Sequence, residues 1–337
     1  NVAASPSVKT AASVAARLLR SGPVDIVGDG NNRSDREGGR EREAGLAGDT
    51  AFRARAGTLY VVATPLGNLR DVTLRAIDVL AGVDRIGAED TRVTAKLLAR
   101  LGLAKRTFPV HEHNETARAG EIVARLAAGE SVALVTDAGT PGLSDPGARI
   151  VRAVRDSGHP VVPVPGPSAL AAALSAAGLV AGRFVFVGFL PTQVKARREL
   201  LERLAGLPFA LVFYEAPHRV KETVAALAAA LDASRTLVVA RELTKIHETI
   251  AALPLGAAGA WFDADPDRAR GEFVLLVDEP PKTPAPEGIT AEAAAWIDAL
   301  AGLLPPARAA RVVSERTGVA RDLLYERAVA RSGRDRG

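Results

Sequence analysis

Between residues 58 and 180 the chain alternates short unbroken apolar runs with longer stretches whose apolar residues recur every three or four positions. Thr58-Leu-Tyr-Val-Val-Ala-Thr64, Arg85-Ile-Gly-Ala88, Ser131-Val-Ala-Leu-Val-Thr136 and residues 161–164 are of the first kind, and their lengths fit buried strands. Val72, Ala76, Val79 and Leu80 fall on one helical face, and further helices are expected from 89–92 through Leu101, over 116–128, over 147–157 and in the Ala-rich stretch after Ser168. Strand and helix in alternation, roughly thirty residues apart, predict a largely parallel, doubly wound α/β sheet.

From Arg183 the strands come more densely, at 183–189, 209–214, 236–242, 246–251 and 271–277, with helices at about 193–205 and 217–231. This pattern predicts a second α/β domain with a more mixed sheet. Glu279-Pro-Pro-Lys-Thr-Pro-Ala-Pro-Glu-Gly288 reads as a stiff proline-rich linker. Beyond it three short helical patterns, near 290–301, 306–316 and 319–331, form a small module with arginines on its outer faces. Residues 1–56 show no core pattern. They lack an acid before Asp25 and are rich in Arg, Asp, Glu and Gly over 28–49, so they are expected to be a mostly disordered extension. The resulting division is an extension 1–56, domains 57–180 and 181–279, a linker 280–289 and a helical module 290–331.

Composition changes this picture in few places. An apolar content of 47% over 337 residues suffices for sizeable cores. No run reaches the ~18 apolar residues of a membrane span, so no membrane association is expected and the location is expected to be cytoplasmic. The net charge of +4 is mild, but residues 305–337 hold eight Arg against four acids. Met is absent, and the absence of Cys excludes disulfides and thiolate metal sites. His111 and His113 alternate on a segment read as extended, so they are expected to point apart, and no metal site is expected.

The candidate chemistry gathers after strands. In Leu134-Val-Thr-Asp-Ala-Gly-Thr-Pro-Gly-Leu-Ser-Asp-Pro-Gly147 an apolar strand breaks into glycines, prolines and small hydroxyls, and a helix is expected to resume at Pro146. Such a loop lets backbone approach a ligand, and it lies where open α/β sheets bind theirs. A long structural turn would read alike. Polar clusters also follow strands at 64–68, 89–92, 111–115 and 165–168, and in a parallel sheet they converge on one edge. Glu89, Asp90 and Arg92 have a structural reading too, as helix-start carboxylates with a solvated partner. Glu215, His218 and Arg219, like Arg241, Glu242 and Lys245, read equally as loop ion pairs.

Taken in order, Thr64-Pro-Leu-Gly-Asn-Leu, Ala88-Glu-Asp-Thr-Arg, His111-Glu-His-Asn-Glu, Asp137-Ala-Gly-Thr-Pro-Gly-Leu-Ser-Asp-Pro-Gly, Pro165-Gly-Pro-Ser-Ala, Gly188-Phe-Leu-Pro, Tyr214-Glu-Ala-Pro-His-Arg, Ala240-Arg-Glu-Leu-Thr-Lys and Gly271-Glu-Phe-Val are far more specific than any one alone. The set closely resembles the ribosomal RNA small subunit methyltransferase I family, the cytidine 2′-O-methyltransferases of the tetrapyrrole methylase superfamily. The resemblance covers about 58–278, and 290–331, with Thr317-Gly-Val and Leu323-Leu-Tyr325, is similar to that family's small C-terminal helical domain. It implies S-adenosylmethionine as donor in a cleft between two α/β domains, a homodimer, and a cytidine ribose in the decoding region of 16S rRNA within the small ribosomal subunit as target. It also implies a cofactor pocket lined by Pro65, Leu66, Gly67, Asn68, Asp137, Ala138, Gly139, Thr140, Ser144, Asp145, Pro165, Gly166, Ser168 and Tyr214.

In that reaction a 2′-hydroxyl attacks a sulfonium methyl in line, so alignment dominates and a carboxylate or His takes the proton. Glu89, Asp90, His113 and Glu115 are the candidates by residue type and location, unranked among themselves. Arg92, His218, Arg219, Arg241 and Lys245 are candidates for holding RNA phosphate. Two other readings stay open: a methyltransferase of the same fold acting on a tetrapyrrole-like small molecule, and an RNA-binding factor without catalysis. The basic 305–337 segment favours RNA.

Overall fold

The computed structural model describes residues 52–179, 182–281 and 288–334. The expected extension lies outside the described residues as far as Ala51, and so do 282–287 of the expected linker; its last residues depart from the expectation, since Phe52 and Ala54 pack on the core around Tyr60.

The first sheet consists of β1 (Leu59–Val62), β2 (Arg85–Ala88), β3 (Thr107–Pro109), β4 (Val132–Val135) and β5 (Val161–Val164). Its order is β3-β2-β4-β1-β5 and every pair is parallel. Helices α1 (Leu74–Gly82) and α2 (Thr91–Leu101) cover one face, where Ile77, Leu80 and Leu98 pack on Tyr60, Val62, Ile86 and Val135. Helices α3 (Glu115–Ala127) and α4 (Ala148–Asp156) cover the other, with Ile122, Leu126, Ile150 and Val154 on Leu59, Val132 and Leu134. Cover on both faces is why β4 reads Val-Ala-Leu-Val, apolar without alternation.

The second sheet is mixed, as expected. It contains β6 (Phe184–Phe189), β7 (Ala210–Glu215), β8 (Thr236–Arg241), β9 (Thr249–Pro254) and β10 (Phe273–Val277), in the order β6-β7-β10-β8-β9. Only β6 and β7 run parallel. Helix α5 (Ala169–Ala176) follows β5 but packs on this second sheet, its buried Ala173 against Val212, Val238, Ala240 and Leu276. The opposite face is covered by α6 (Val194–Ala205), α7 (Val220–Ala230) and α8 (Ala258–Asp263) around Phe213 and Phe262. Both sheets belong to one compact unit that ends at Pro280.

Local expectations are corrected in several places. Strand β3, for which no range was read although 111–115 was expected to follow a strand, is a three-residue edge strand ending in Pro109, a residue that edges tolerate. Helix α8 was also missed. The strand placed at 246–251 begins instead at Thr249, because 242–248 is a turn. There Glu242 and Thr244 have positive φ (51° and 66°), and Glu248 Oε2 accepts the Thr244 N–H at 2.6 Å. Helix α4 starts at Ala148 rather than Pro146, since Gly147, at φ 137°, takes the boundary position. His111 and His113 do not point apart, for residues 111–114 form a turn in which the Asn114 N–H donates to the His111 carbonyl, and the two rings lie 6.1 Å apart, edge to face.

From Pro281 the chain forms a second compact unit. Its helices are α9 (Ala291–Leu300), α10 (Pro306–Thr317) and α11 (Arg321–Arg334). Thr290 caps α9 by accepting from the Ala293 N–H, and Gly318, left-handed at φ 73°, ends α10. Ile297, Ala310, Val313, Val319 and Leu324 form its core, while Arg308, Arg311, Arg316, Arg321 and Arg331 are exposed. Among the described residues no helix is long and apolar enough to cross a membrane.

Candidate active site

Three loops leave the ends of β1, β4 and β5 and are stitched to one another. Thr64 and Gly139 exchange both backbone hydrogen bonds, N–H to O distances being 2.8 and 2.9 Å. The Thr64 hydroxyl donates to the Thr136 carbonyl at 3.0 Å, and the Thr140 hydroxyl to the Pro167 carbonyl at 3.0 Å. Gly139, at φ 81°, lets the loop turn there. The second sheet joins this edge from the far side. The Tyr214 hydroxyl accepts the Leu170 N–H at 3.0 Å, and the Asn68 N–H donates to the Thr244 hydroxyl at 3.3 Å.

These elements enclose a cavity of about 300 Å³. Leu66, Ala138, Gly139, Thr140, Leu143 and Asp145 line it from the first sheet's loops, and Ser168 and Ala169 from the start of α5. Phe189, Tyr214, Glu215, Ala240, Leu243, Glu272, Phe273 and Val274 line it from the second sheet. Its walls are mostly apolar with a few convergent polar groups, as small-molecule sites are.

One of those groups is out of the ordinary. Burial, reinforced by the charges of Glu89, Asp137 and Glu272, pushes the Asp145 carboxyl up to about 7. Asp145 has no hydrogen-bonding or ion-pair partner among the described residues. Burial also raises Glu89 and Asp137, and the two are linked, since Glu89 Oε2 accepts the Asp137 N–H at 3.3 Å. The Tyr214 hydroxyl is raised by burial and by the Asp145 charge. The residue before Asp145, Ser144, is held at φ 63°, an uncommon backbone state for a side chain with a Cβ.

Of the cofactor candidates, Leu66, Ala138, Gly139, Thr140, Asp145, Ser168 and Tyr214 stand in the cavity wall. Pro65, Gly67, Asn68, Asp137, Ser144, Pro165 and Gly166 lie outside the lining. Several of these shape it: Gly67 faces the Lys245 side chain and Gly166 faces Ala63, both too closely for a Cβ to fit unshifted.

None of the four proton-acceptor candidates lines the cavity. Asp90 caps α2 by accepting the Arg92 N–H, and Arg92, 87% exposed, pairs with it and holds its carboxyl down at about 2. This is the helix-start arrangement that the sequence also allowed. His113 is exposed in its turn. Glu115 is buried, and its Oε1 accepts the backbone N–H groups of Gly147 (2.9 Å) and Arg149 (2.8 Å) at the start of α4. Only Glu89 faces the site, through its charge on Asp145.

The phosphate candidates divide likewise. Arg92 and His218 are exposed. Arg219 donates to the Leu190 carbonyl at 2.7 Å and lies 3.5 Å from the buried Glu215 carboxylate. Arg241 donates to the Arg270 carbonyl, and Lys245 bridges Glu242 (2.8 Å) and Glu272 (2.9 Å). These three are structural ties of the second sheet. Phe189 and Glu272 are cavity residues to which sequence reasoning assigned no role, although both sit inside the Gly188-Phe-Leu-Pro and Gly271-Glu-Phe-Val motifs.

Residues 58–259 match the model of the Tetrapyrrole (Corrin/Porphyrin) Methylases, and 287–332 match that of the RsmI C-terminal HTH domain. The chain is similar to the ribosomal RNA small subunit methyltransferase I of Pseudomonas aeruginosa, with 46% identity over 83% of this chain and 99% of that one. Its counterpart in Escherichia coli O157:H7 is 44% identical over 82% and 96%, and that of Xylella fastidiosa 48% over 80% and 98%. Among solved structures, the methyltransferase CobJ superposes with a TM-score of 0.52 at 24% identity, covering 66% of this chain and 95% of that one. The cobalt precorrin-4 methyltransferase CbiF gives 0.51 at 17%, over 66% and 95%. At these identities the structural likeness speaks for the fold.

Proposed function

The chain belongs to the tetrapyrrole methylase family, in its ribosomal RNA small subunit methyltransferase I branch, and we propose that it methylates a cytidine 2′-hydroxyl in the decoding region of 16S rRNA. The observation that carries the chemistry is Asp145, a half-buried carboxylate with no partner among the described residues, in the wall of a cavity built from both sheets.

The donor in this reading is S-adenosylmethionine, which supplies an electrophilic methyl group on a cationic sulfur. The residues present fit it. Leu66, Leu243, Ala138 and Val274 offer apolar wall, Gly139 brings backbone to the surface, and Asp145, with Glu89, Asp137 and Glu272 behind it, makes the cavity favourable to a cation. Most of the rate enhancement comes from holding the hydroxyl in line with the methyl carbon. The proton that the hydroxyl loses passes to Asp145, whose carboxyl at about 7 is matched to accepting it near neutrality. Asp145 thereby replaces Glu89, Asp90, His113 and Glu115 as the acceptor, and Glu89 and Asp137 tune it.

Exposed Arg92 and His218 near the first unit's loops, and the exposed arginines of the helical module, hold RNA phosphate in this reading. A homodimer in the cytoplasm belongs to the same reading and rests on family resemblance. The small-molecule alternative has less support, because the corrin-methylating structures share only the fold, whereas the ribosomal relatives match over nearly their whole length.

The test is transfer of tritium from labelled S-adenosylmethionine to small subunits lacking native methylation, with a tetrapyrrole precursor alongside. Label at a cytidine 2′-O position is the expected result. Donor binding by calorimetry with no label in the RNA would sink the ribosomal assignment.

A further inference from the structure

Strand β6 breaks its own alternation. Val185 and Val187 turn to the core that α6 and α7 cover, while Phe186 turns to the opposite face with Tyr214. By strict alternation Phe189 would follow Val185 and Val187 inward. A β-bulge prevents this: Phe186 pairs with Val212, but Gly188 already pairs with Phe213, leaving Val187 as the extra residue. Parity reverses beyond it. Leu190 enters the core at 2% exposure, and Phe189 emerges on the cavity face, 50% exposed.

Gly188 is what makes the bulge possible. Its φ of 74° is the left-handed state, and a Cβ there would lie 2.7 Å from the Ser144 hydroxyl oxygen. The bulge thus abuts the residue before Asp145. The Phe189 ring meets Tyr214 edge-on, with centroids 5.8 Å apart, which leaves ring surface free at the cavity wall beside Leu143, itself 39% exposed. A large apolar ring is therefore turned out of a core into the cavity by a dedicated backbone irregularity.

We propose that Phe189 is a stacking platform for the cytosine base of the target nucleotide, setting its ribose against Asp145. The proposal rests on the RNA methyltransferase reading above. A base pulled from its helix loses its stacking neighbours, and an aromatic side chain replaces them without regard to hydrogen-bonding pattern. An aromatic ring and a proton acceptor lining one cavity suit a nucleotide whose base must be gripped while its sugar reacts. The same ring chemistry would serve the donor's adenine, so the two stacking partners must be separated by experiment.

The experiment compares the wild-type full chain with Phe189→Leu and Phe189→Tyr, after thermal melts establish that each folds. It measures donor affinity by calorimetry, affinity for undermethylated small subunits by sedimentation with S-adenosylhomocysteine present, and KM and kcat for transfer. Phe189→Leu is expected to weaken subunit affinity and kcat/KM about 5- to 150-fold, as loss of one stacked base does, with donor affinity within about twofold. Phe189→Tyr, which keeps the flat face, is expected to restore most of the loss. Wild-type behaviour of Phe189→Leu would overturn the platform, as would failure of Tyr to rescue it. Loss of donor affinity in the same proportion would assign the ring to the donor's adenine instead. If the wild-type chain itself transfers no label to subunits, the underlying reading falls, and that outcome is distinct from any difference among the variants.

Discussion

At Asp145, burial and the neighbouring Glu89, Asp137 and Glu272 all oppose ionisation, and Tyr214 adds no positive charge to offset them. An ordinary aspartate has a pKa of ~3.9, so between about 4 and about 7 the folded chain holds a proton that the unfolded chain has released. Stability on this account falls as pH rises through that window, and the full penalty is present above it. Replacing Asp145→Asn removes the penalty. Urea melts should show the variant stabilised by about 1–2 kcal/mol at pH 8 and by less at pH 5, the gain being reduced by the solvent that reaches this half-buried group. The same substitution should lower kcat by roughly 10²- to 10⁴-fold and abolish the rise of wild-type kcat with pH through neutrality. A destabilised variant with an unchanged pH profile would show that Asp145 is structural.

At the scale of elements, the site depends on where α4 begins. Its first N–H groups point toward Glu115, at the N-terminal end of α3, so a carboxylate from one helix caps the start of the next. Glu115→Ala leaves the Gly147 and Arg149 N–H groups without that acceptor. Denaturant unfolding should register a loss of about 1–3 kcal/mol. A change within experimental error would mean that water replaces the carboxylate. The sequence-level proposal of Glu115 as a base arose because an acid after a strand looks the same in both roles. Nothing in residues 111–115 says that an acceptor is needed by a helix about thirty residues later. The strands of the first sheet, by contrast, were legible from their unbroken apolar runs, since both faces are covered.

For the whole molecule, the two compact units divide at Pro280 and Pro281, and each has its own core. Among the described residues, those that line the cavity all precede that division, whereas Arg308, Arg311, Arg316, Arg321 and Arg331 are exposed beyond it. A chain ended at Pro280 should therefore bind S-adenosylmethionine within about twofold of the full chain. Its affinity for small subunits should be lower and less sensitive to salt, the slope of log K against log salt falling by about 0.7–0.9 for each phosphate that the module's arginines no longer neutralise. Sedimentation over a salt series would measure this. An unaltered slope would remove the module from RNA binding.

The sequence by itself determined the strand–helix alternation, the mixed character of the second sheet, the arginines of the terminal helices and the family, because each is written in local periodicity or contiguous motifs. Leu66, Gly139, Asp145, Ser168 and Tyr214, which the motif resemblance nominated together for a cofactor, line one cavity. Only the tertiary structure decided which carboxylate stands unpartnered in the cavity, since that depends on burial and on charges up to about 180 residues apart in the chain, such as Glu89 and Glu272. It alone showed Arg219 and Lys245 committed to internal partners. It alone turned Phe189 outward, because a one-residue bulge reverses the parity of a strand without leaving any mark on its hydrophobic pattern.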